Sequence, residues 1–412
     1  MTNDMTDSRD VHQYGNEKGL SINHYLINLI HKILSGIDKN SATEKNAAIL
    51  CMVDKSQAFE RQAHKLGVES FIRNGVRKSL IPVLVNFFSG REIVVKWQGE
   101  FSSPRAVAGG GPQGGTCGGI LEYLSQTAGN LSFLGPDEAF KFVDDESFVE
   151  ILNLVQLGFS SFNAKSEVPS DMATGEYYLP NSNFKTQEYL DKICSWTAAQ
   201  EMKVNSQKSH YMIMNFCKSM KFQTRLRINN DLMRQVHEVR LLGLIISDTL
   251  KWNSNTDMLI KRAYKRVTIL RKLTHFNIPI SDLIHIYKLY VRSALEQSSV
   301  VWSASISTEE MNAFERCQKI SLRVMYKEAY VSYDSALIRA NLPRMSDRFC
   351  NLRYTFARKC TLNEKTKHMF PLNEPQIIST RASEKYKTPF AYHSRFQKSA
   401  IIQMSKQLNE KY

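Results

Sequence analysis

The chain has 412 residues, enough for two or three domains. At 42% hydrophobic, 10% aromatic and 23% charged, its composition excludes a disordered, collagen-like or wholly membrane-embedded protein. The net charge of +14 is uneven: residues 251–412 carry 28 basic and 13 acidic side chains (+15), residues 1–250 carry 26 and 27 (−1). A basic back half suits a polyanionic partner, with nucleic acid ahead of anionic lipid; from charge alone, a merely solvated basic surface fits as well.

The N-terminal MTNDMTDSRD is acidic, with neither the apolar core of a secretory signal nor the basic character of a transit peptide. Residues 1–20 read as loose. Ser21 stands where an N-cap belongs, and Ile22, Tyr25, Leu26, Leu29, Ile30, Ile33 and Leu34 follow at amphipathic-helix spacing. After a polar loop, Ala47 to Val53 is a short unbroken apolar run, as a central buried strand requires, and it ends in Asp54. Residues 66–89 read as two short helices punctuated by Gly75, and Glu92 to Trp97 as a strand. A glycine cluster spans Gly109 to Gly119, ahead of a helix over Ile120–Gln126. Ala139–Val143 and Ser147–Leu152 read as strands with Asp144 and Asp145 at the turn between them. A surface loop over 160–185 precedes a helix near Tyr189–Gln200 and three β-like runs, His210–Phe216, Arg225–Ile228 and Arg240–Ile246.

After Trp252 the strand signals vanish, and helical periodicity with Lys and Arg on the polar face continues to about residue 360. Lys261, Arg262, Lys265, Arg266, Arg271 and Lys272 alternate there with Leu259, Ile260, Tyr264, Val267, Ile269 and Leu270. A domain boundary is expected near 250. The longest apolar stretches are too short to span a bilayer. Seven cysteines with no CxxC pair argue against a disulfide framework or zinc finger, and ten histidines show no HxH or HExxH spacing. The expectation is an intracellular protein, nuclear or cytoplasmic, with reduced thiols.

Two strand candidates end in acid, Val53-Asp54 and Phe142-Val143-Asp144-Asp145. Side by side, such strands bring carboxylates close together, and their repulsion is relieved by a hard divalent cation. Mg²⁺ takes one or two carboxylates plus phosphate oxygens and water, and two such ions equip a site for nucleotidyl transfer. Taken singly, Asp144-Asp145 suits a hairpin turn equally well, and Asp54 a helix N-cap.

The order of blocks narrows the choice. Asp54-Lys55-Ser56-Gln57-Ala58-Phe59-Glu60 resembles the D-x-S-K-A-F-D block of reverse transcriptases of non-LTR retrotransposons, of LINE-like and jockey-like type. Gly110-Gly111-Pro112-Gln113-Gly114 resembles their G-x-P-Q-G, and Phe142-Val143-Asp144-Asp145 their F/Y-x-D-D. Val204-Asn205-Ser206-Gln207-Lys208 is similar to their L-N-x-x-K, and Leu241-Leu242-Gly243-Leu244 through Leu250-Lys251-Trp252 to their L-L-G-V…L-x-W. Gln13-Tyr14-Gly15-Asn16 to Ser21, and Arg395 to Ile401, resemble blocks at either end. A two-metal nuclease would explain the acids but not the Gly-Pro-Gln-Gly loop.

The resemblance implies an α+β right-hand polymerase: partial fingers and palm over 1–250, a helical thumb over 251–342 and a basic helical or irregular segment over 343–412. It implies RNA-directed DNA polymerisation, with an RNA template, a DNA primer, deoxynucleoside triphosphates and Mg²⁺ or Mn²⁺ as partners and no membrane. Asp54 and Asp144 are the implied metal ligands, and Asp145 the adjacent acid. Lys208 is the implied lysine at the pyrophosphate. Phe59 would pack under the sugar, and Gly110, Pro112, Gln113 and Gly114 would face base and template. The six basic residues from Lys261 to Lys272 would grip duplex phosphates. Lys55 beside Asp54 and Glu60 in place of Asp depart from the family pattern. The resemblance also implies a fragment lacking upstream fingers and endonuclease, and so a second reading: a catalytically silent remnant that only binds nucleic acid.

Overall fold

The computed structural model describes residues 10–38, 44–107, 109–111, 120–157, 170–171, 176–179, 184–217, 220–373 and 384–410. In chain order its elements begin α1 (Ile22–Ile37), β1 (Asn46–Val53), α2 (His64–Arg73), α3 (Ile81–Phe88), β2 (Glu92–Ile93), β3 (Lys96–Trp97), β4 (Glu100–Phe101) and β5 (Arg105–Ala106). They continue α4 (Ile120–Thr127), β6 (Ala139–Phe142), β7 (Asp145–Asn153), β8 (Ser170–Asp171), β9 (Glu176–Tyr178), α5 (Lys185–Ala199), β10 (His210–Met214), β11 (Phe222–Gln223), β12 (Arg227–Ile228), β13 (Asp231–Leu232) and β14 (Arg234–Gln235). After a hairpin, β15 (Glu238–Leu241) and β16 (Leu244–Ser247), the elements named among the described residues are helices. The fold is mixed α/β with a wholly helical part. Two compact units divide it: Met1–Lys18 with Ala42–Val236, and Gly19–Ser41 with His237–Tyr412.

The first unit is built on a five-stranded sheet of order β14-β10-β1-β7-β6. β1 pairs antiparallel with both β10 and β7, which makes it an inner strand, and its seven residues Ala47–Val53 are all buried, so both of its faces are covered. That double burial is why the run is continuously apolar rather than alternating. On one face Ala47, Ile49, Cys51 and Val53 join Phe148, Leu152 and the α5 residues Leu190 and Ile193 in a single core. β6 and β7 form an antiparallel hairpin in which Phe142 pairs with Asp145.

Three local expectations change. Residues 12–15 are not loose: they run parallel to β6, with Tyr14 N–H donating to Lys141 O and Lys141 N–H to His12 O, both at 2.8 Å, and they cover the outer edge of the sheet. The 92–97 run is two short strands, β2 pairing with β5 and β3 with β4, with Ile93, Trp97 and Phe101 more than half exposed. The 240–246 run is the β15–β16 hairpin, broken because Leu242 and Gly243 both take left-handed φ in a two-residue turn.

In the second unit α6 (Asn253–Leu273) packs against α10 (Thr308–Tyr326), burying Leu259, Ala263, Val267 and Leu270. Between them in sequence lie α7 (Ile280–Ile286), a π-helical segment Tyr287–Arg292, and the short α8 (Ser293–Leu295) and α9 (Ser299–Trp302). α10 begins in a capping box, Ser307 with Glu310. Trp302 of α9 stacks on Phe314 at 5.2 Å, and Phe349 meets both rings edge-on. Among the described residues, no helix is long and apolar enough to cross a membrane, and six cysteines are free.

Candidate active site and nucleic-acid interface

The strands place the three acids at one end of the sheet. β1 pairs with β7 up to Val53 opposite Glu146, so Asp54, one step further, continues the register towards Asp145. Side chains alternate across a strand. Asp54 and Asp145 therefore share one face, while Lys55 and Glu146 share the opposite one. Asp54 is held at its backbone from both sides. Its N–H donates to Ser209 Oγ at 3.0 Å, and its carbonyl accepts Asn205 N–H at 2.8 Å. The Asn205 side chain also favours the ionised Asp54 carboxylate. The block from Val204 to Lys208 is thus a turn built around Asp54, and it brings the Lys208 charge to bear on that carboxylate.

Asp144 sits in the two-residue turn joining β6 to β7. The first residue of that turn, Val143, has φ +63°. Hairpins usually give this place to glycine, and a β-branched residue there is strained by roughly 1–3 kcal/mol. The surroundings fix it. Gln13 Oε1 accepts the Val143 N–H at 3.0 Å and the Gly15 N–H at 2.9 Å. A Cβ on Gly15 would lie 2.8 Å from both Val143 Cγ2 and Val143 N, so only glycine lets the N-terminal segment approach this closely.

The acids feel one another. The Asp145 carboxyl is pushed up to about 6, first by withdrawal from water and then by the Asp144 and Asp54 carboxylates. Asp54 is raised by burial and by Asp144, against the opposing pull of Lys208, Asn205 and His210. Among the described residues, no group of three or more His, Cys, Asp or Glu side chains could hold a metal ion by itself. Mutual repulsion with an incomplete donor set suits a cation that takes one or two carboxylates and completes its shell with phosphate and water. Asp54, Asp144 and Asp145 are the residues that could lend one or two carboxylates to such a cation.

Beneath the acids lies a buried charge network that the motif reading did not find. Lys55 Nζ is 2.6 Å from Glu146 Oε1, with side chains 0% and 1% exposed. Asn130 Nδ2 donates to the same Glu146 oxygen at 2.7 Å, and Asn130 Oδ1 accepts from Lys141 Nζ at 2.8 Å. Lys141 also pairs with Asp10 at 2.6 Å. Lys55 lies over the rings of Tyr123 and Trp196 at 5.5 and 5.6 Å. Lys55, read as a departure from the family pattern, therefore ties the end of β1 to the start of β7, one residue beyond Asp54 and Asp145. The signal was present as complementary charges following the two acids, but it becomes legible only with the register.

Phe59 is half-buried against Tyr123, with ring centroids 5.2 Å apart, in a cluster with Ala58, Met202 and Val143. Gly110 N–H donates to Gln62 O at 2.8 Å and Gly111 N–H to Phe59 O at 2.9 Å, so the glycine block is stitched to the segment following Asp54. Gly110 has φ +88°, and a Cβ there would lie 3.1 Å from Glu60 O. Pro112, Gln113 and Gly114 lie outside the described residues.

In the helical unit, Lys261, Lys265, Arg271 and Lys272 project from the exposed face of α6. Lys261, Arg262 and Lys265 line a groove of about 530 Å³ with Ser254, Asp257, Met258 and Ile245. Arg262 and Arg266 differ from their neighbours. Arg262 donates to Gln297, which in turn donates to Gly243 O at 3.3 Å. Arg266 donates to Tyr290 O at 2.6 Å and lies over the Tyr290 ring at 4.7 Å. Both guanidinium groups hold the protein together before meeting any ligand.

No protein-family model matches the chain. Over 277 residues it is 24% identical to a probable RNA-directed DNA polymerase from transposon BS of Drosophila melanogaster, covering 65% of the chain and 27% of that protein. Over 300 residues it is 22% identical to the RNA-directed DNA polymerase from mobile element jockey of Drosophila funebris, covering 70% and 30%. Over 320 residues it is 21% identical to a probable RNA-directed DNA polymerase from transposon X-element of Drosophila melanogaster, covering 76% and 31%. The chain thus spans less than a third of the length of these relatives, and within that span it is similar to RNA-directed DNA polymerases of non-LTR retrotransposons.

Proposed function

We propose that this chain carries the polymerising part of a non-LTR retrotransposon reverse transcriptase, extending a DNA primer on an RNA template. In this reading the sheet unit is the palm and the helical unit the thumb of a right-hand polymerase. The observation that carries it is the convergence of Asp54, Asp144 and Asp145 at the end of one five-stranded sheet, with the Asn205–Lys208 turn bonded to Asp54. Asp54 and Asp144 would hold Mg²⁺ or Mn²⁺, which supplies activation of the primer hydroxyl and neutralisation of the leaving pyrophosphate. Asp145 adds negative charge to the site, and Lys208 presents a cation towards it. Phe59, with Tyr123 behind it, forms a floor for the sugar of the incoming nucleotide. Lys261 and Lys265, in the α6 groove, would meet duplex phosphates.

Extension of oligo(dT) on poly(rA) by the purified chain with dTTP and Mg²⁺ tests the reading. Asp144→Asn should lower the extension rate on the order of 10³-fold or more while leaving salt-sensitive duplex binding intact. A variant that extends like the unmodified chain sinks the site. An unmodified chain that binds duplex but yields no Mg²⁺-dependent product sinks the activity.

A further inference from the structure

The turn carrying Asp144 is held in place by a residue more than a hundred positions earlier. Five observations converge on it. Val143 is a β-branched residue at φ +63°, a conformation it does not keep unaided. Its N–H is bound by the side-chain oxygen of Gln13, and the same oxygen takes the Gly15 N–H, so one carbonyl joins the N-terminal segment to the turn. Gly15 leaves no room for a Cβ against Val143. The segment is itself fixed along β6 by the Tyr14, His12 and Lys141 backbone bonds, by the Lys141–Asp10 pair and by Tyr14 stacked on Phe140. Gln13 is 7% exposed, so its amide is committed to the interior rather than to solvent.

We propose that Gln13 is a positioning residue for nucleotidyl transfer: its amide oxygen locks the Val143-Asp144 turn in the left-handed form that aims the Asp144 carboxylate at the catalytic cation. The inference rests on the polymerase reading, in which Asp144 holds the catalytic cation. Gln13 touches neither substrate nor metal; it acts through the backbone of Val143. A displacement of about 1 Å in such a carboxylate costs on the order of 10²-fold in rate.

Gln13→Ala should therefore lower kcat for primer extension on the order of 10²-fold, with KM for dTTP and the duplex Kd unchanged. Gln13→Glu, which retains an accepting oxygen, should lose much less. Val143→Gly separates positioning from folding, because glycine adopts this φ without strain. Gln13→Ala/Val143→Gly should recover most of the lost rate, whereas damage from misfolding would persist in the double variant. Amide hydrogen exchange supplies a readout independent of activity. Protection of the Val143 N–H should fall in Gln13→Ala while the β1 and β7 amides stay protected. Undiminished kcat, unchanged Val143 exchange, or no recovery in the double variant would each overturn the proposal. If the unmodified chain makes no product, the polymerase reading fails, and the exchange pattern alone decides whether Gln13 locks the turn.

Discussion

The two units use lysine in opposite ways. In the sheet unit Lys55 and Lys141 are 5% and 1% exposed, and each lies 2.6 Å from an acid, Glu146 and Asp10. In the helical unit Lys261, Lys265, Arg271 and Lys272 stand on the open face of α6, with no side-chain partner among the described residues. A buried cation beside its acid is electrically quiet, and its effect is to fix two strands relative to each other. An exposed unpaired row projects a field over about 8 Å at physiological salt, the range at which a phosphate backbone responds. The sheet unit places its paired charges underneath and leaves three mutually repelling acids at the strand ends. Net charge is therefore a poor summary of either unit; which charges lack partners decides what each can attract.

Removing a buried cation is the harshest way to break the contrast. Lys55→Met leaves Glu146 buried without its counter-charge and should cost about 3–5 kcal/mol in urea unfolding. Lys55→Met/Glu146→Leu should recover most of that loss, since matched apolar replacements spare both desolvation costs. A double variant no better than the single would mean the pair does not act as a unit. Glu122 sharpens the contrast from the other side. It is fully buried, both its carboxylate oxygens lack partners among the described residues, and burial pushes it up to about 7 despite Arg91. The folded state keeps its proton where the unfolded chain has lost it, so stability falls as pH rises from about 4.5 through 7. Glu122→Gln should remove that slope and stabilise the protein at pH 8 by on the order of 3 kcal/mol, with little effect at pH 4. Equal effects at the two pH values would refute it. The exposed row should respond least in stability. Lys261→Ala/Lys265→Ala should shift unfolding by no more than about 0.5 kcal/mol. It should nonetheless reduce the salt dependence of duplex binding by about one unit of log–log slope for each lysine that meets a phosphate. An unchanged slope would remove α6 from the interface.

What the sequence disclosed was whatever is encoded locally. The seven-residue apolar run into Asp54 announced a strand buried on both faces, and the acids between two strand-like runs announced a hairpin. The helical texture after Trp252 followed from its period. Features that join distant positions stayed hidden. Residues 12–15 have no strand-like pattern, because they contribute backbone bonds and one glutamine oxygen rather than an apolar face. The pairing of Lys55 with Glu146 depends on strand register, which no single window contains. The break within 240–246 escaped notice because Leu242, a residue that normally avoids left-handed φ, occupies the turn beside Gly243. Among the basic residues of α6, composition did not separate Lys261 and Lys265, which are exposed, from Arg262 and Arg266, whose guanidinium groups bond Gln297 and Tyr290.

The bond from Gln13 to Val143 spans 130 positions, and that from Asp10 to Lys141 spans 131. Ribosomes add about 5–20 residues per second, so the N-terminal segment would emerge roughly ten seconds before its partner strand exists. Closing so long a loop carries an entropic cost that must be met before the contacts form, which favours local helices and hairpins first. The turn that carries Asp144 should therefore acquire its final geometry among the last events of folding. A nascent or partly unfolded chain would carry the carboxylates without bringing them together, which ties the arrangement of the acids to completion of the sheet.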